Sequence, residues 1–146
     1  MFSVHAHEET TKDFIKAFKD ADAESMSKFF ASEIEFAGDH KFLGLDEFIP
    51  KTVSVKKHDI TSNYQKLFKR YGKEPWKKLV KKAEPSVVVS EDGKELKGLV
   101  EVGDVICNMH FKEAKGGEPG GFDEAEIFVF RKIDDEYKVV FHFADY

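Results

Sequence analysis

The apolar residues change their spacing part-way along the chain, and that change constrains the fold more than any other feature. Before about residue 83 they recur at helical intervals, and after it they alternate. Phe14, Ile15, Phe18 and Ala21 fall on one helical face within Glu8–Asp20, with Thr10 or Thr11 as N-cap. Met26, Phe29 and Phe30 share a face of a second, short helix following Asp22. Glu33–Ala37 alternates Ile34 and Phe36 with acidic neighbours, which predicts a strand, and Gly38-Asp39-His40 breaks it. In Gly44–Ile49 the Asp46 carboxylate is placed to cap a third helix carrying Phe48, Ile49 and Val53, with Pro50 in its first turn.

The later part of the chain has period two. Ser86–Ser90 predicts a strand, followed by a turn at Glu91-Asp92-Gly93-Lys94. Leu99–Phe111 predicts a long strand with Val105, Cys107, Met109 and Phe111 on one face. Val102, Asp104, Ile106, Asn108 and His110 fall on the other. Gly116–Gly121 predicts an exposed loop. Phe122–Lys132 and Tyr137–Ala144 then form a hairpin around Asp134-Asp135-Glu136. Both of its strands are apolar on both faces, so it belongs in the middle of a sheet covered on two sides. Helices first and strands after them predict a single α+β domain over 1–146. Its N-terminal helices pack on a curved, mixed-to-antiparallel sheet.

Bulk composition narrows the class further. Hydrophobic residues at 41% and charged residues at 35% argue against disorder. Phenylalanine contributes 15 of 146 residues, so the interior is either packed with rings or lined by them. The single cysteine, Cys107, alternates with Val105 and Met109 and reads as a core thiol. It cannot form an internal disulfide. Neither a signal-peptide pattern nor a window of about 18 apolar residues is present, so a cytoplasmic location without a membrane span is expected. The net charge of −5 argues against nucleic-acid binding by the whole surface.

Helix, helix, short strand, the "FLGLDEFI" segment and a meander ending "FVFRKIDDEYKVVFHFADY" together resemble the nuclear transport factor 2-like superfamily. The resemblance lies in Asp13–Asp39, Gly44–Ile49 and Ile127–Tyr146, as hydrophobic patterns rather than catalytic signatures. It implies a cystatin-like cone whose helices close over the concave sheet face and leave a pocket at the mouth. It also implies a homodimer through the opposite face. Ketosteroid isomerase belongs to that superfamily, and its machinery is a carboxylate base with a tyrosine and a carboxylic acid as oxyanion donors. An ungapped alignment places these three groups on Phe14, Gly38 and Phe128. None of those residues can move a proton, so the resemblance does not extend to that mechanism unless a local bulge brings Asp39, one residue on, to the base position.

His110 with Asp104 and Asn108 is the remaining polar constellation on one strand face. It reads as a general acid/base with an orienting or ligand-binding partner, or as a solvated strand face. His142, between Phe141 and Phe143, reads as a buried hydrogen-bonded or interface histidine rather than a catalyst. The chain lacks a phosphate loop, dinucleotide fingerprint, nucleophile elbow and clustered zinc spacing, so no cofactor or metal is called for.

Lys56–Lys82 holds ten basic residues against Asp59 and Glu74, which leaves −13 on the rest of the chain. Tyr64, Leu67, Phe68 and Tyr71 form a helical stripe there; Gly72 breaks it. Pro75 then opens a second helix with Trp76, Leu79, Val80 and Ala83. The predicted helical insertion near 58–83 is either a packed helix pair with a solvated lysine face or a lid. As a lid, it would use Lys66–Lys82 to attract an anionic ligand or partner.

Three functions follow. The first is a small-molecule-binding cone for an apolar ligand, lined by Phe14, Phe18, Phe128, Phe130, Trp76 and Asn108. The second is a non-catalytic dimerisation or scaffold module filled by its own rings. The third is a lyase or isomerase using His110 and Asp104. A cavity above roughly 300 Å³ separates the first and third from the second.

Overall fold

The computed structural model describes residues 6–39, 48–71, 80–87, 100–111 and 125–145. Its first helix, α1 (Ala6–Lys19), has Glu8 and Glu9 in the first turn and Lys16 and Lys19 in the last. That distribution complements the helix dipole. The helix starts earlier than expected, because Ala6 to Glu9 are compatible with helix and place acids at its positive end. Thr10 and Thr11 are therefore interior positions and not caps. Thr11 Oγ1 donates back to the carbonyls of His7 (2.8 Å) and Glu8 (3.1 Å).

Two reciprocal bonds close α1. The Asp22 N–H reaches Ala17 O at 2.9 Å and the Ala21 N–H reaches Phe18 O at 3.0 Å, with Ala21 left-handed at φ +54°. This is a Schellman motif with alanine in the position that glycine usually takes. Asp22 then serves as N-cap of α2 (Ala23–Ser27), accepting from the Ser25 N–H at 3.1 Å.

Among the described residues, six strands form one mixed sheet in the order β2-β1-β6-β5-β4-β3. They are β1 (Phe30–Asp39), β2 (Phe48–Lys56), β3 (Val80–Val87), β4 (Val105–Phe111), β5 (Ala125–Ile133) and β6 (Glu136–Asp145). β1 runs parallel to β6, and every other pair is antiparallel. The remaining helix, α3 (Lys57–Tyr71), follows β2. As expected, the β5–β6 hairpin is internal to the sheet. Its two-residue turn has both Asp134 (φ +49°) and Asp135 (φ +67°) left-handed, the geometry that matches strand twist.

Several expectations need correction. α2 ends at Ser27, so Phe29 lies beyond it and Phe30 opens β1 instead of sharing a helical face with Met26. Phe48, Ile49 and Val53 lie in strand β2 and not in a helix. Ile49, Thr52, Val53 and Val55 are β-branched, and pairing with β1 outweighs the helical reading. The predicted second helix of the insertion does not include Val80 and Ala83, which pair with β4 as part of β3. Of the helical insertion near 58–83 the described residues show α3 and the start of β3; residues 72–79, Trp76 among them, lie outside the described residues. The strand expected at Ser86–Ser90 includes Ser86 and Val87 of β3, which starts earlier, at Val80; residues 88–90 lie outside the described residues. Pro50 and Pro85 lie in β2 and β3, the outer strands among the described residues, where a missing N–H is tolerated.

β4 begins six residues later than Leu99. A turn precedes it, closed by the Asp104 N–H to Glu101 O at 3.0 Å, with Gly103 at φ +97°. Only glycine adopts that conformation without strain. The turn brings Val100 onto the sheet face opposite the helices, in a cluster with Ala37, Val129 and Phe141. The helix-side face carries the larger core, from Phe14 and Phe18 to Tyr64, Phe128 and Phe130.

Replacing Ala21 by glycine should raise stability by about 1 kcal/mol by relieving the left-handed alanine. The expected readout is a higher denaturation midpoint with an unchanged slope. An unchanged midpoint would show that the conformation costs nothing here.

Candidate functional site

The rings of Phe14, Phe18, Phe128 and Phe130 converge between α1 and the sheet, all fully buried. Phe14 meets Phe128 at 4.7 Å and Phe130 at 5.2 Å between centroids, both edge to face. Phe18 meets Phe128 at 6.2 Å. These contacts let the rings fill the space between helix and sheet themselves. α3 closes one side with Tyr64 and Phe68, whose rings lie 6.1 Å and 6.0 Å from Phe18.

Polar chemistry enters this apolar region at three residues from three elements. Tyr64 of α3, Glu126 of β5 and His142 of β6 are each fully buried. Tyr64 Oη donates to Glu126 Oε1 at 2.5 Å. His142 Nε2 lies 2.9 Å from Tyr64 Oη and 3.0 Å from Glu126 Oε1. With the tyrosine proton given to Glu126, both contacts of Nε2 are hydrogen bonds only if Nε2 carries a proton and shares it between the two oxygens. The His142 ring is held flat against Phe128 (4.3 Å, 9°) and faces Tyr64 at 5.6 Å. Glu126 Oε2 is buried with no hydrogen-bond partner among the described residues.

His142 is thus the buried, hydrogen-bonded histidine that its apolar neighbours predicted. Tyr64 was legible only as part of an apolar stripe. Glu126 carried an unused signal: at period two it shares a strand face with Phe128 and Phe130. A carboxylate in that row has to be buried.

The sequence-predicted pair His110 and Asp104 stands at opposite ends of β4, about 20 Å apart along the strand. The His110 backbone pairs with Lys82 and Ala125, and its side chain is outside the described set. Asp104 precedes the strand and is 2% exposed. Its carboxylate accepts from Arg131 Nη2 (2.9 Å), Arg131 Nε (3.1 Å) and the Glu101 N–H (2.8 Å). The hydrogen bond to Asp104, with that carboxylate's charge and that of Glu101, pushes the Arg131 guanidinium up against the opposing effect of burial. Asp104 thereby ties the turn before β4 to β5. Asn108 is half-buried on the face opposite the helices, with Oδ1 lacking a hydrogen-bond partner among the described residues. Cys107 is buried in the core, and desolvation pushes its thiol up to about 12.

Gly38, aligned with the isomerase base, is buried at φ +120° where the β1–β2 register shifts. It shapes a bulge and supplies no chemical group. A cleft of about 350 Å³ opens between the α1–α2 turn and α3, lined by Ala21, Asp22, Glu24, Gln65, Phe68 and Lys69 among others. It lies beside the ring cluster, and Phe68 belongs to both. Of the predicted basic segment, Lys66 and Lys69 are exposed on α3; residues 72–79 are outside the described set. Among the described residues, no group of three or more His, Cys, Asp or Glu could hold a metal ion, and no helix is long and apolar enough to cross a membrane.

Changing Tyr64 to Phe keeps the ring and removes one donor to a buried carboxylate. Denaturant unfolding should show a loss of about 1–3 kcal/mol. A change within experimental error would mean that the hydroxyl does not support the fold.

No family model matches the chain, and no curated protein matches it. Solved structures do. A DUF4783 family protein from Bacteroides uniformis superposes with a TM-score of 0.54 at 12% identity, covering 92% of this chain and 94% of its own. A protein of unknown function with a cystatin-like fold from Nostoc punctiforme gives 0.51 at 12% identity, over 96% and 87%. An NTF2-like protein of unknown function from Shewanella baltica gives 0.50 at 14% identity, over 96% and 90%. At such identities the likeness speaks for architecture alone, and it agrees with the element order, the mixed sheet and the helices on one face. The chain has the nuclear transport factor 2-like, cystatin-like α+β fold.

Proposed function

We propose that this chain is a small-molecule-binding domain whose ligand is mainly apolar and lodges against the aromatic interior. The observation that carries this reading is the position of Phe68. Its ring forms part of the wall of the 350 Å³ cleft and packs against Phe18 and Tyr64 within the buried cluster. A ligand entering from the cleft would reach the rings by displacing that one side chain. Apolar and aromatic ligands suit such a surface, because rings offer contact area with few polar demands. NMR titration with 2-methoxynaphthalene should give saturable shifts concentrated on Phe18, Tyr64 and Phe68. Shifts scattered over the surface, or none that saturate, would sink the reading.

A second reading, association of two copies, draws on the opposite sheet face. Ile106, Val140 and Phe143 are only partly buried there, around Val129 and Phe141. The chain itself buries Val129 (0% exposed) and Phe141 (2%), so a partner would cover the margin of that cluster. Stable obligate interfaces bury about 2,000 Å² or more. Light scattering at micromolar concentration should give twice the chain mass, and the mass of one chain would refute association.

A further inference from the structure

The geometry points to Glu126 as a polar anchor that selects ligands carrying a hydrogen-bond donor, such as a phenol or an alcohol on an apolar body. The inference rests on the ligand-binding reading above and names the chemical class that reading would take. Three observations support it. Glu126 is fully buried on the same strand face as Phe128, beside the ring cluster. Its Oε1 receives both neighbouring donors, the Tyr64 hydroxyl at 2.5 Å and His142 Nε2 at 3.0 Å. Its Oε2 has no hydrogen-bond partner among the described residues.

A buried acceptor left in that condition is costly, and a ligand that brings a donor recovers the cost on binding. A ligand of the same shape without a donor leaves the oxygen as it was. The polarity is opposite to that of an oxyanion hole, which presents donors to an acceptor on the ligand. Tyr64 and His142 orient the carboxylate from one side. The His142 stack on Phe128 (4.3 Å) holds that arrangement against the rings. An apolar body in contact with Phe18 or Phe128 would thus have a carboxylate within the same buried region.

The test compares 2-naphthol with 2-methoxynaphthalene, of similar shape but lacking the donor, on the full chain at neutral pH. Calorimetric or NMR titration should show 2-naphthol binding about 10- to 100-fold more tightly, the range for satisfying a buried acceptor that otherwise lacks a partner. In Glu126→Gln that preference should disappear, with the methoxy compound still bound. Equal affinities for the wild-type chain would overturn the anchor and leave the pocket standing. A preference that survives in Glu126→Gln would also overturn it. Failure of both compounds to bind saturably would remove the pocket and the anchor together. Equal wild-type affinities overturn the anchor whether or not the variant folds. If the variant does not fold, shifts of the Glu126 side-chain resonances on adding 2-naphthol to the wild-type chain assign a preference to this carboxyl.

Discussion

The Phe128 ring is where the helices and the sheet are joined. Phe14 and Phe18 of α1 meet it from above, Tyr64 reaches it from α3, and His142 lies flat on it from the neighbouring strand. Phe30, at the start of β1, stacks on it from the side at 6.5 Å. The helices hold their places on the sheet mainly through such side-chain contacts, so their position depends on this apolar cluster. Individual ring pairs of this kind contribute about 0.5–1.5 kcal/mol beyond the area they bury. Their joint effect is to fix five elements, α1, α3, β1, β5 and β6, relative to one another.

Legibility in the sequence followed the strength of the local period. Phe14 and Phe18 on α1, the Asp134-Asp135 turn and the internal hairpin were readable because each has one dominant pattern and few competitors. Phe48–Val53 and Val80–Ala83 were misread because short apolar runs satisfy helical and strand spacing alike. What decided them was long-range pairing, with β1 in one case and β4 in the other. The convergence of Phe14 with Phe128 followed from the family resemblance and is present. The Tyr64–Glu126–His142 cluster was beyond single-segment reading, since its members are separated by up to 78 positions and come from three elements.

That cluster also shows how the interior accommodates polar groups. Each of its three residues brings a large apolar or aliphatic portion that packs with the rings, and the polar atoms meet one another at a single point. Such a meeting specifies register more narrowly than apolar contacts do, because a slip of one strand would strand all three groups. Asp104 and Arg131 act comparably outside the aromatic core, joining the turn before β4 to β5 with two nearly parallel bonds.

The two prolines on the edge strands have a consequence for how molecules of this kind meet one another. A sheet edge is ordinarily a template, a row of amide hydrogens and carbonyls on which a neighbouring chain can add another strand. Pro50 in β2 and Pro85 in β3 each delete one hydrogen from such a row. Where that position faces outward, a strand added beside β2 or β3 would meet a rung with no N–H.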